Sequence, residues 1–284
     1  MGYLVRVMNT TIAHPALSDE QLAFWNREGY LIVRGLYPVE DIQRIKNHFD
    51  DLAAVGATVP GFWGPDLTPE GAKDPLKRYP RVMHPHRWDK DGFSMRNMLN
   101  PRVGEVLAAL YNDEPVAAQS MFYFKPPGAR GQALHQDNYY LQVKPGSCIA
   151  AWTAIDRAAP DNGGLYVVPG THEMEVVCPE VADGDESFTR DLVRAPNGKK
   201  AIGLELNSGD TLFFNGSIVH GSGPNRSKTD WRRAFICHYL PKHARNVSKF
   251  YAPFYDFNGN TVDYEVTEGG GPCGKEFVGG AYGA

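Results

Sequence analysis

The chain has 284 residues, of which 42% are hydrophobic and 22% are charged, and its formal net charge at pH 7 is −4. This length allows one large domain or two small ones, and the composition is ordinary for a soluble globular protein. No basic run and no apolar run of about 18 residues stands out, so we expect neither a nucleic-acid partner nor a membrane span.

The first part of the chain predicts helices. Ser18, followed three residues later by Gln21, forms a capping box that marks the start of a helix. Apolar residues at steps of three and four predict two further helices, over residues 39–55 and 97–111. Between these two, residues 56–80 are rich in Pro and Gly and predict a long irregular loop, of the kind that often covers a binding site.

From Val116 onward the pattern changes to short β-type runs separated by turns, which is typical of an all-β sandwich or barrel. The runs are VAAQSMFYF, ALHQDNYYLQV, CIAAWTAI, LYVVPG, DTLFFNGSIVHG and WRRAFICHYL. The sequence has no internal repeat and no linker, so a single domain over residues 1–284 is the simplest interpretation. We divide it into a helical part at about 18–115, a β-rich core at about 116–241, and a C-terminal rim or tail at 242–284.

A histidine and a carboxylate stand two residues apart at His135 and Asp137. If residues 134–143 form a strand, both side chains point to the same face. His220, at the end of another apolar run, is a candidate third ligand. Two histidines and one carboxylate form the facial triad of non-haem Fe(II) oxygenases. The same donor set also suits catalytic zinc.

An arginine near such a triad could hold the carboxylate of a 2-oxo-acid co-substrate, because a guanidinium matches a carboxylate in bidentate fashion. Arg232 lies twelve residues after His220, near the start of the run WRRAFICHYL. Alternation places Arg232 and Arg233 on opposite faces of a strand but does not say which face is inside. Arg226, in the preceding turn, is a third candidate.

Three runs resemble the phytanoyl-CoA dioxygenase family of Fe(II)- and 2-oxoglutarate-dependent oxygenases: MFYFKPPGARGQALHQD, CIAAWTAIDRAAPDNGGLYVVPGTH and SIVHGSGPNRSKTDWRRAFICHY. The resemblance implies a mainly β fold whose core is a double-stranded β-helix, the cupin-like jelly roll, flanked by N-terminal helices. It also implies an enzyme that uses Fe(II), 2-oxoglutarate and O2.

The resemblance implies roles for particular residues as well. The iron ligands would be His135, Asp137 and His220. The distal carboxylate of 2-oxoglutarate would be held by Arg232 and Ser222. Met121 and Trp152 match positions that line the family's co-substrate pocket, although both residue types are also common in cores. Arg81 stands near the position of a lysine that faces the co-substrate in the family, and a surface arginine is the alternative.

The expected reaction is hydroxylation of an aliphatic C–H bond, with succinate and CO2 as co-products. Halogenating relatives replace the iron-binding carboxylate by a small residue, so Asp137 favours hydroxylation, while desaturation and ring formation stay open. We expect a small metabolite as substrate and a monomer or homodimer. A CoA thioester would need a basic surface, and the basic residues before the β-rich core form only a modest cluster: Lys73, Lys77, Arg78, Arg81 and Arg87.

Three other classes remain open from the residues alone. These are a cupin-type metal enzyme that does not use 2-oxoglutarate, a non-catalytic β-barrel that binds a small molecule, and a zinc hydrolase. The first would leave Arg232 without a purpose. Oxygen consumption would exclude the hydrolase.

Several other residues have simpler interpretations. His84 and His86 form a second histidine pair, but no carboxylate at matching spacing accompanies them, which leaves the substrate pocket or the core as alternatives to a metal site. We interpret His238 as a structural, hydrogen-bonded histidine. Gly163 and Gly164 predict a tight turn with a positive φ.

The cysteines are widely spaced and form no CxxC pair, which argues against a zinc cluster and a redox dithiol. We therefore predict reduced, mostly buried thiols. They are Cys148, Cys178, Cys237 and Cys273. The start of the sequence matches neither a signal peptide nor a lipidation motif, so the expected location is cytoplasmic.

Overall fold

The computed structural model describes residues 17–267 and Cys273, so the predicted C-terminal rim or tail lies partly outside the described residues. Helices lie mainly before residue 112 and are α1 (Asp19–Glu28), α2 (Val39–Val55), α3 (Pro75–Arg78), α4 (Pro85–Trp88), α5 (Phe93–Met98), α6 (Pro101–Tyr111) and α7 (Asn138–Leu141). Short 3-10 turns lie at Gly71–Lys73, Pro160–Asn162 and Lys249–Tyr251. No helix in this described part combines the length and the apolar character needed to cross a bilayer.

The longer strands lie in the predicted β-rich core, and short ones lie on both sides of it. The strands are β1 (Tyr30–Val33), β2 (Val82–Met83), β3 (Pro115–Tyr123), β4 (Gln132–His135), β5 (Ile149–Ala154), β6 (Leu165–Val167), β7 (Glu180–Val181), β8 (Asp191–Leu192), β9 (Ile202–Gly203), β10 (Thr211–Asn215), β11 (His220–Ser222), β12 (Ala234–Pro241), β13 (Asn246–Ser248), β14 (Phe254–Tyr255), β15 (Thr261–Val262) and β16 (Glu265–Thr267).

Two antiparallel sheets contain most of these strands. Within the described residues, the larger sheet has eight strands in the order β1-β10-β5-β12-β3-β14-β15, with β2 paired to β3. The smaller sheet has four strands in the order β4-β11-β6-β9. The prediction of a mainly β fold is therefore confirmed.

The helix predictions hold with one shift. Ser18 Oγ accepts a hydrogen bond from the Gln21 backbone N–H at 3.2 Å, and the Ser18 N–H donates to Gln21 Oε1 at 2.9 Å, which is the predicted capping box at the start of α1. The helix predicted over 97–111 begins only at Pro101, and the first residues of that range belong to α5. Proline fits the first turn of a helix because it has no N–H to donate, and it disrupts a helix interior.

Two predicted strands are shorter than expected. β4 ends at His135, and Asp137 has helical dihedral angles (φ −62°, ψ −34°) at the start of α7. The strand predicted over 134–143 is therefore wrong beyond His135. The residues of α7 are all buried, and a continuous apolar run does not distinguish a short buried helix from a strand. The run at 210–221 likewise divides into β10 and β11.

The larger sheet is buried on both faces. Along β12, Phe235 packs with the N-terminal helices, and Phe49 of α2 stacks on Phe122 of β3 with ring centroids 4.0 Å apart. Ala234 and Ile236 point to the opposite face and join a cluster that also contains residues of the smaller sheet. Strand alternation thus creates a helix-facing layer and an inner layer between the two sheets.

The cysteine prediction is wrong for one pair. Cys178 and Cys273 form a disulfide across 95 residues of sequence, with a Cα–Cα distance of 5.7 Å. Cys148 and Cys237 are buried free thiols, as predicted. A pairing between distant loops depends on how the chain folds, so sequence spacing contains no signal for it.

Candidate active site

His135 and His220 are neighbours on adjacent strands of the smaller sheet, because the last residue of β4 pairs directly with the first residue of β11. Their ring centroids are 4.2 Å apart. The Asp137 carboxylate lies 3.3 Å from His135 Nε2 and 3.5 Å from His220 Nε2. All three side chains are buried. The structure therefore brings together the three residues that the sequence analysis grouped.

Backbone carbonyls fix the tautomers of both histidines. His135 Nδ1 lies 2.7 Å from the Ala133 carbonyl oxygen, and His220 Nδ1 lies 3.1 Å from the Ile218 carbonyl oxygen. A carbonyl only accepts hydrogen bonds, so Nδ1 carries the hydrogen in each ring and Nε2 keeps its lone pair. Both Nε2 lone pairs point into the site, which is the arrangement that metal-binding histidines require.

The electrostatics keep these groups in their ligand forms. Burial alone would raise the pKa of the Asp137 carboxyl, but the neighbouring His220, His238 and His135 outweigh it and hold that pKa well below its usual range. Burial is also the main reason why the pKa of His220 falls to about 4. At neutral pH, Asp137 is therefore a carboxylate and His220 is a neutral imidazole.

Iron(II) fits this donor set. Within residues 17–267 and 273, His135, Asp137 and His220 are the His, Cys, Asp or Glu side chains found to have donor atoms all within 4.8 Å of one another. Two imidazole nitrogens and one carboxylate leave three adjacent coordination positions open, as in the facial triad of non-haem iron oxygenases. Catalytic zinc could use the same donors, so the rest of the cavity has to distinguish the two.

The triad lines a cavity between the two sheets, called here the first cavity. The other residues that line it include Met121, Tyr123, Trp152, Ser222, Arg232 and His238. The predicted pocket residues Met121, Trp152 and Ser222 are thus placed in its walls. Met121 and Trp152 belong to the inner layer of the larger sheet, because strand alternation turns them away from the helices.

Arg232 also lines the first cavity and has only 2% of its surface exposed. Its Nε donates to the Gly163 carbonyl at 3.1 Å, and its Nη1 is buried without a partner in the structure. The guanidinium carbon lies 5.2 Å from the centre of the Trp152 ring, a cation–π contact. Burial lowers the pKa of Arg232 to about 10, so the group is still charged at neutral pH.

The structure separates the three candidate arginines. Arg233 points to the other face, where its guanidinium binds Asp156 and Asp50. Arg226 pairs with Glu186 at the surface. Of the three, Arg232 is the one that lines the first cavity.

Arg81 is placed outside the walls of the first cavity. Its guanidinium carbon lies 3.8 Å from the centre of the Phe188 ring, in a second cavity that adjoins the first at Tyr123 and Arg232. Part of this second cavity is formed by the predicted loop at 56–80, through Leu76, Tyr79 and Pro80. A contact between Arg81 and the co-substrate stays a prediction.

Two buried residues of the site escaped the sequence analysis. His238, interpreted above as structural, lines the first cavity, and its Nε2 donates to Asp137 Oδ2 at 2.8 Å. Strand alternation could have predicted this position for His238. It lies an even number of residues after Arg232 and Ile236, so all three are expected on the same face of the strand. Lys125, in the loop after β3, lies 3.1 Å from Ser222 Oγ, and no sequence pattern marks it.

His84 and His86 lie outside the triad. Both are buried, with ring centroids 5.7 Å apart. His86 Nδ1 lies 2.7 Å from Ser120 Oγ, and His84 Nε2 lies 3.3 Å from Gln119 Nε2. Among the residues that the structure describes, no carboxylate or cysteine completes a metal site around this pair.

The sequence matches a family model and curated proteins over most of its length. The model of phytanoyl-CoA dioxygenase (PhyH) matches residues 25–234. The peroxisomal phytanoyl-CoA dioxygenase of Homo sapiens is 28% identical over 243 residues, which cover 81% of this chain and 70% of the human protein. Dioxygenase lolE1 of Epichloe uncinata is 29% identical over 251 residues, which cover 84% of this chain and 90% of that protein.

The fold matches solved structures as well. The epimerase SnoN, crystallised with Fe3+, alpha ketoglutarate and nogalamycin RO, superposes with a TM-score of 0.60 at 21% identity, over 80% of this chain and 84% of SnoN. At this identity the likeness concerns the fold alone. The family model covers well over half of the sequence and includes the triad and Arg232. The chain therefore belongs to the phytanoyl-CoA dioxygenase family and is a dioxygenase.

Proposed function

We propose that this dioxygenase is an iron(II)- and 2-oxoglutarate-dependent hydroxylase of an aliphatic C–H bond in a small metabolite. It would consume O2 and 2-oxoglutarate and release succinate and CO2. One observation carries the proposal. Three metal donor atoms and the unpartnered Nη1 of a charged guanidinium line the same cavity. We call the triad the metal end and the side with Arg232 and Ser222 the carboxylate end.

At the metal end, His135, Asp137 and His220 would hold iron(II) on one face and leave the opposite face to the co-substrate and O2. Bound iron supplies oxygen activation and C–H cleavage, which no side chain of the cavity can perform. The residues contribute geometry and charge. One carboxylate against a divalent ion leaves net positive charge at the site, which favours binding of the carboxylate of a 2-oxo acid.

At the other end, Arg232 and Ser222 would bind the distal carboxylate of 2-oxoglutarate. A guanidinium presents two parallel N–H groups to a carboxylate, and the hydroxyl adds a third donor. These contacts are strong because the pocket is buried and its effective dielectric constant is low. A zinc hydrolase would have no use for such a clamp, so Arg232 favours the oxygenase.

Two features support hydroxylation as the outcome. By the resemblance, Asp137 would supply the carboxylate ligand that halogenating relatives replace by a small residue, which disfavours halogenation. Apolar side chains form part of the cavity wall, among them Leu165, Phe214 and Ile236, and they limit the access of competing water to the reacting centre. Product analysis separates hydroxylation from desaturation and from ring formation.

The second cavity supports a small metabolite as substrate. It measures ≈270 Å³, slightly below the range of about 300–1,000 Å³ that is typical of ligand pockets. Two of the basic residues that could bind the phosphates of a CoA thioester already donate to backbone carbonyls. Arg78 donates to the Ala53 carbonyl, and Arg87 donates to the Phe250 carbonyl at 3.4 Å.

We further propose that the two facing sheets form a double-stranded β-helix, and that residues 1–284 constitute one domain. The antiparallel pairing of both sheets around one inner cluster supports this assignment. Neither the helices nor the loop at 56–80 contains a separate hydrophobic core, because their apolar residues pack on the larger sheet.

The test is an anaerobic titration of the metal-free protein with Fe(II) and then 2-oxoglutarate, followed through the weak visible charge-transfer band of the chelate. We expect one iron and one 2-oxoglutarate per chain, and slow O2-dependent formation of succinate when oxygen is admitted. Protein loaded with Zn(II) should bind 2-oxoglutarate without the band. Candidate small metabolites are then screened for faster succinate formation.

Two variants make the titration specific for the proposed site. His135→Ala removes one ligand and should abolish the band. His243→Ala removes a histidine at the surface, where it pairs with Asp113, and should leave the band unchanged. Tight iron binding without any band in the wild type would refute 2-oxoglutarate dependence and favour a cupin-type metal enzyme.

A further inference from the structure

Lys125 is a buried cation with 4% of its surface exposed. It lines the second cavity and contacts Ser222, which lines the first. Its Nζ donates to the Gly163 carbonyl at 3.2 Å, to Ser222 Oγ at 3.1 Å and to the Gly223 carbonyl. The ion pairs found among the described residues include neither Lys125 nor Arg232. Two buried positive charges therefore lie close together without an acidic partner from the protein, an arrangement that suits an anionic ligand.

The contacts of Lys125 identify its charged form. An ammonium has three N–H donors, and three oxygen atoms surround Nζ. A neutral amine would have two donors and would direct its lone pair at an oxygen. Burial, and then the charge of Arg232, lower the pKa of Lys125 well below its usual range. Hydrogen bonds to three oxygen acceptors favour the charged form of the amine.

These contacts also fix the direction of the Ser222 hydroxyl. Ser222 Oγ accepts one hydrogen bond from Lys125 and a second from the Gln132 backbone N–H at 3.2 Å. A hydroxyl has two acceptor lone pairs and one hydrogen. Since both lone pairs are occupied, the hydrogen of Ser222 is left to donate into the cavity.

A glycine turn couples Lys125 to Arg232. The Gly163 carbonyl accepts from Lys125 Nζ and also from Arg232 Nε. Gly163 has φ +83°, and a Cβ there would lie 2.8 Å from Lys125 Cε, so only glycine allows this approach. The Lys125 carbonyl in turn accepts from the Arg232 backbone N–H at 3.0 Å. Lys125, Ser222 and Arg232 are thus held as one unit.

We infer that Lys125 is a positioning residue of the co-substrate site: it directs the Ser222 hydroxyl hydrogen towards the distal carboxylate of 2-oxoglutarate and adds a second positive charge beside Arg232. The inference rests on the proposed function. It predicts that Lys125 contributes to affinity only for ligands that have a distal carboxylate.

The test compares 2-oxoglutarate with 2-oxovalerate, which has a methyl group in place of the distal carboxylate. Dissociation constants are measured anaerobically on the Fe(II)-loaded protein by the charge-transfer band. Lys125→Met should weaken 2-oxoglutarate binding roughly tenfold to a hundredfold, the usual effect of hydrogen bonds to charged groups, and leave 2-oxovalerate within about twofold. Lys199→Met, which removes a surface lysine bound to the Pro169 carbonyl, should change neither constant.

A double variant tests the route through Ser222. Because Lys125 acts in part by directing that hydroxyl, Ser222→Ala and Lys125→Met together should weaken 2-oxoglutarate binding by less than the product of their separate effects. If Lys125→Met does not fold, Lys125→Gln, which keeps two N–H donors but no charge, takes its place with the same expectation.

The outcomes separate this inference from the proposed function. Equal weakening of both ligands would mean that Lys125 only supports the fold, and unchanged constants would mean that it has no role in binding; either result overturns the inference while the wild-type band stands. If the two single variants' effects on the dissociation constant of 2-oxoglutarate multiply fully in the double variant, Lys125 does not act through the Ser222 hydroxyl. No band in the wild type would overturn the proposed function itself.

Discussion

The two ends of the first cavity are built with opposite charges. The metal end consists of His135, Asp137 and His220. The carboxylate end consists of Ser222 and Arg232, together with Lys125, which binds Ser222 from the wall of the second cavity. The metal end offers one carboxylate and two nitrogen lone pairs, whereas the carboxylate end offers two buried cations and no acid. Buried charges are stable when they are paired. The metal end is therefore suited to a cation, and the carboxylate end is suited to an anion.

The two ends also differ in what holds them. The register of β4 and β11, with carbonyls that fix both imidazoles, sets the metal end. Loop carbonyls around Gly163 and Gly223 set the carboxylate end. The two ends share β4 and β11, because Ser222 follows His220 in β11 and accepts from the Gln132 N–H of β4. Their ligand-binding side chains are nevertheless different, so a side-chain change at one end should affect its own ligand and spare the other.

The largest effect is expected at the metal end. Asp137→Ala removes the only charged ligand of the triad and should reduce retained iron from one per chain to almost none, measured by metal analysis after desalting. Asp161→Ala, which removes a surface carboxylate paired with Arg157, is the control and should keep its iron. Stoichiometric iron in Asp137→Ala would show that the metal binds elsewhere.

The next largest effect is expected at the carboxylate end. Arg232→Met should raise the dissociation constant of 2-oxoglutarate by roughly a hundredfold, because a bidentate charged contact is lost, while iron content stays at the wild-type value. Calorimetry on the Fe(II)-loaded protein without oxygen measures the dissociation constant of 2-oxoglutarate, and metal analysis measures the iron content. Arg226→Met, at the surface, should leave 2-oxoglutarate affinity unchanged. A loss of iron in Arg232→Met would contradict the independence of the two ends.

A smaller effect is expected at His238, which belongs to the larger sheet but touches the metal end. Its Nε2 donates to Asp137 Oδ2, so His238→Ala should weaken iron binding about tenfold, as loss of a hydrogen bond to a metal ligand typically does. His238→Gln can place an amide N–H in the same position and should restore most of the affinity. Equal iron affinity in His238→Ala and the wild type would assign His238 a packing role.

Residue types and spacing grouped the three residues of the metal end, and the structure places their donor atoms within 4.8 Å of one another. His135 and Asp137 are two residues apart, and His220 stands at the edge of an apolar run. The predicted strand was nevertheless wrong beyond His135, since Asp137 is the N-cap residue of α7 and does not continue β4. The carboxylate converges with the histidines through a helical turn, which a strand pattern does not predict.

The carboxylate end was predicted only in part, for a physical reason. The resemblance identified Arg232 and Ser222, but Lys125 reaches the site through carbonyl groups of Gly163 and Gly223, which are contributed by other loops. Backbone contacts between distant loops leave no mark in residue types. The disulfide between Cys178 and Cys273 likewise joins parts of the chain that are 95 residues apart in sequence, and it was not predicted.

The smallest predicted effect isolates the carboxylate end from the metal. Glutarate has the distal carboxylate of 2-oxoglutarate but no 2-oxo group to chelate iron, so it should still bind the metal-free protein through Arg232. At ten times its dissociation constant such a ligand contributes about 1.4 kcal/mol of stability, which would raise the melting temperature by about 2–3 °C. Thermal unfolding with and without glutarate measures this shift. Arg232→Met should abolish it, whereas Asp137→Ala should retain it because the carboxylate end is intact. A shift that disappears in Asp137→Ala instead would mean that the two ends are coupled without any metal.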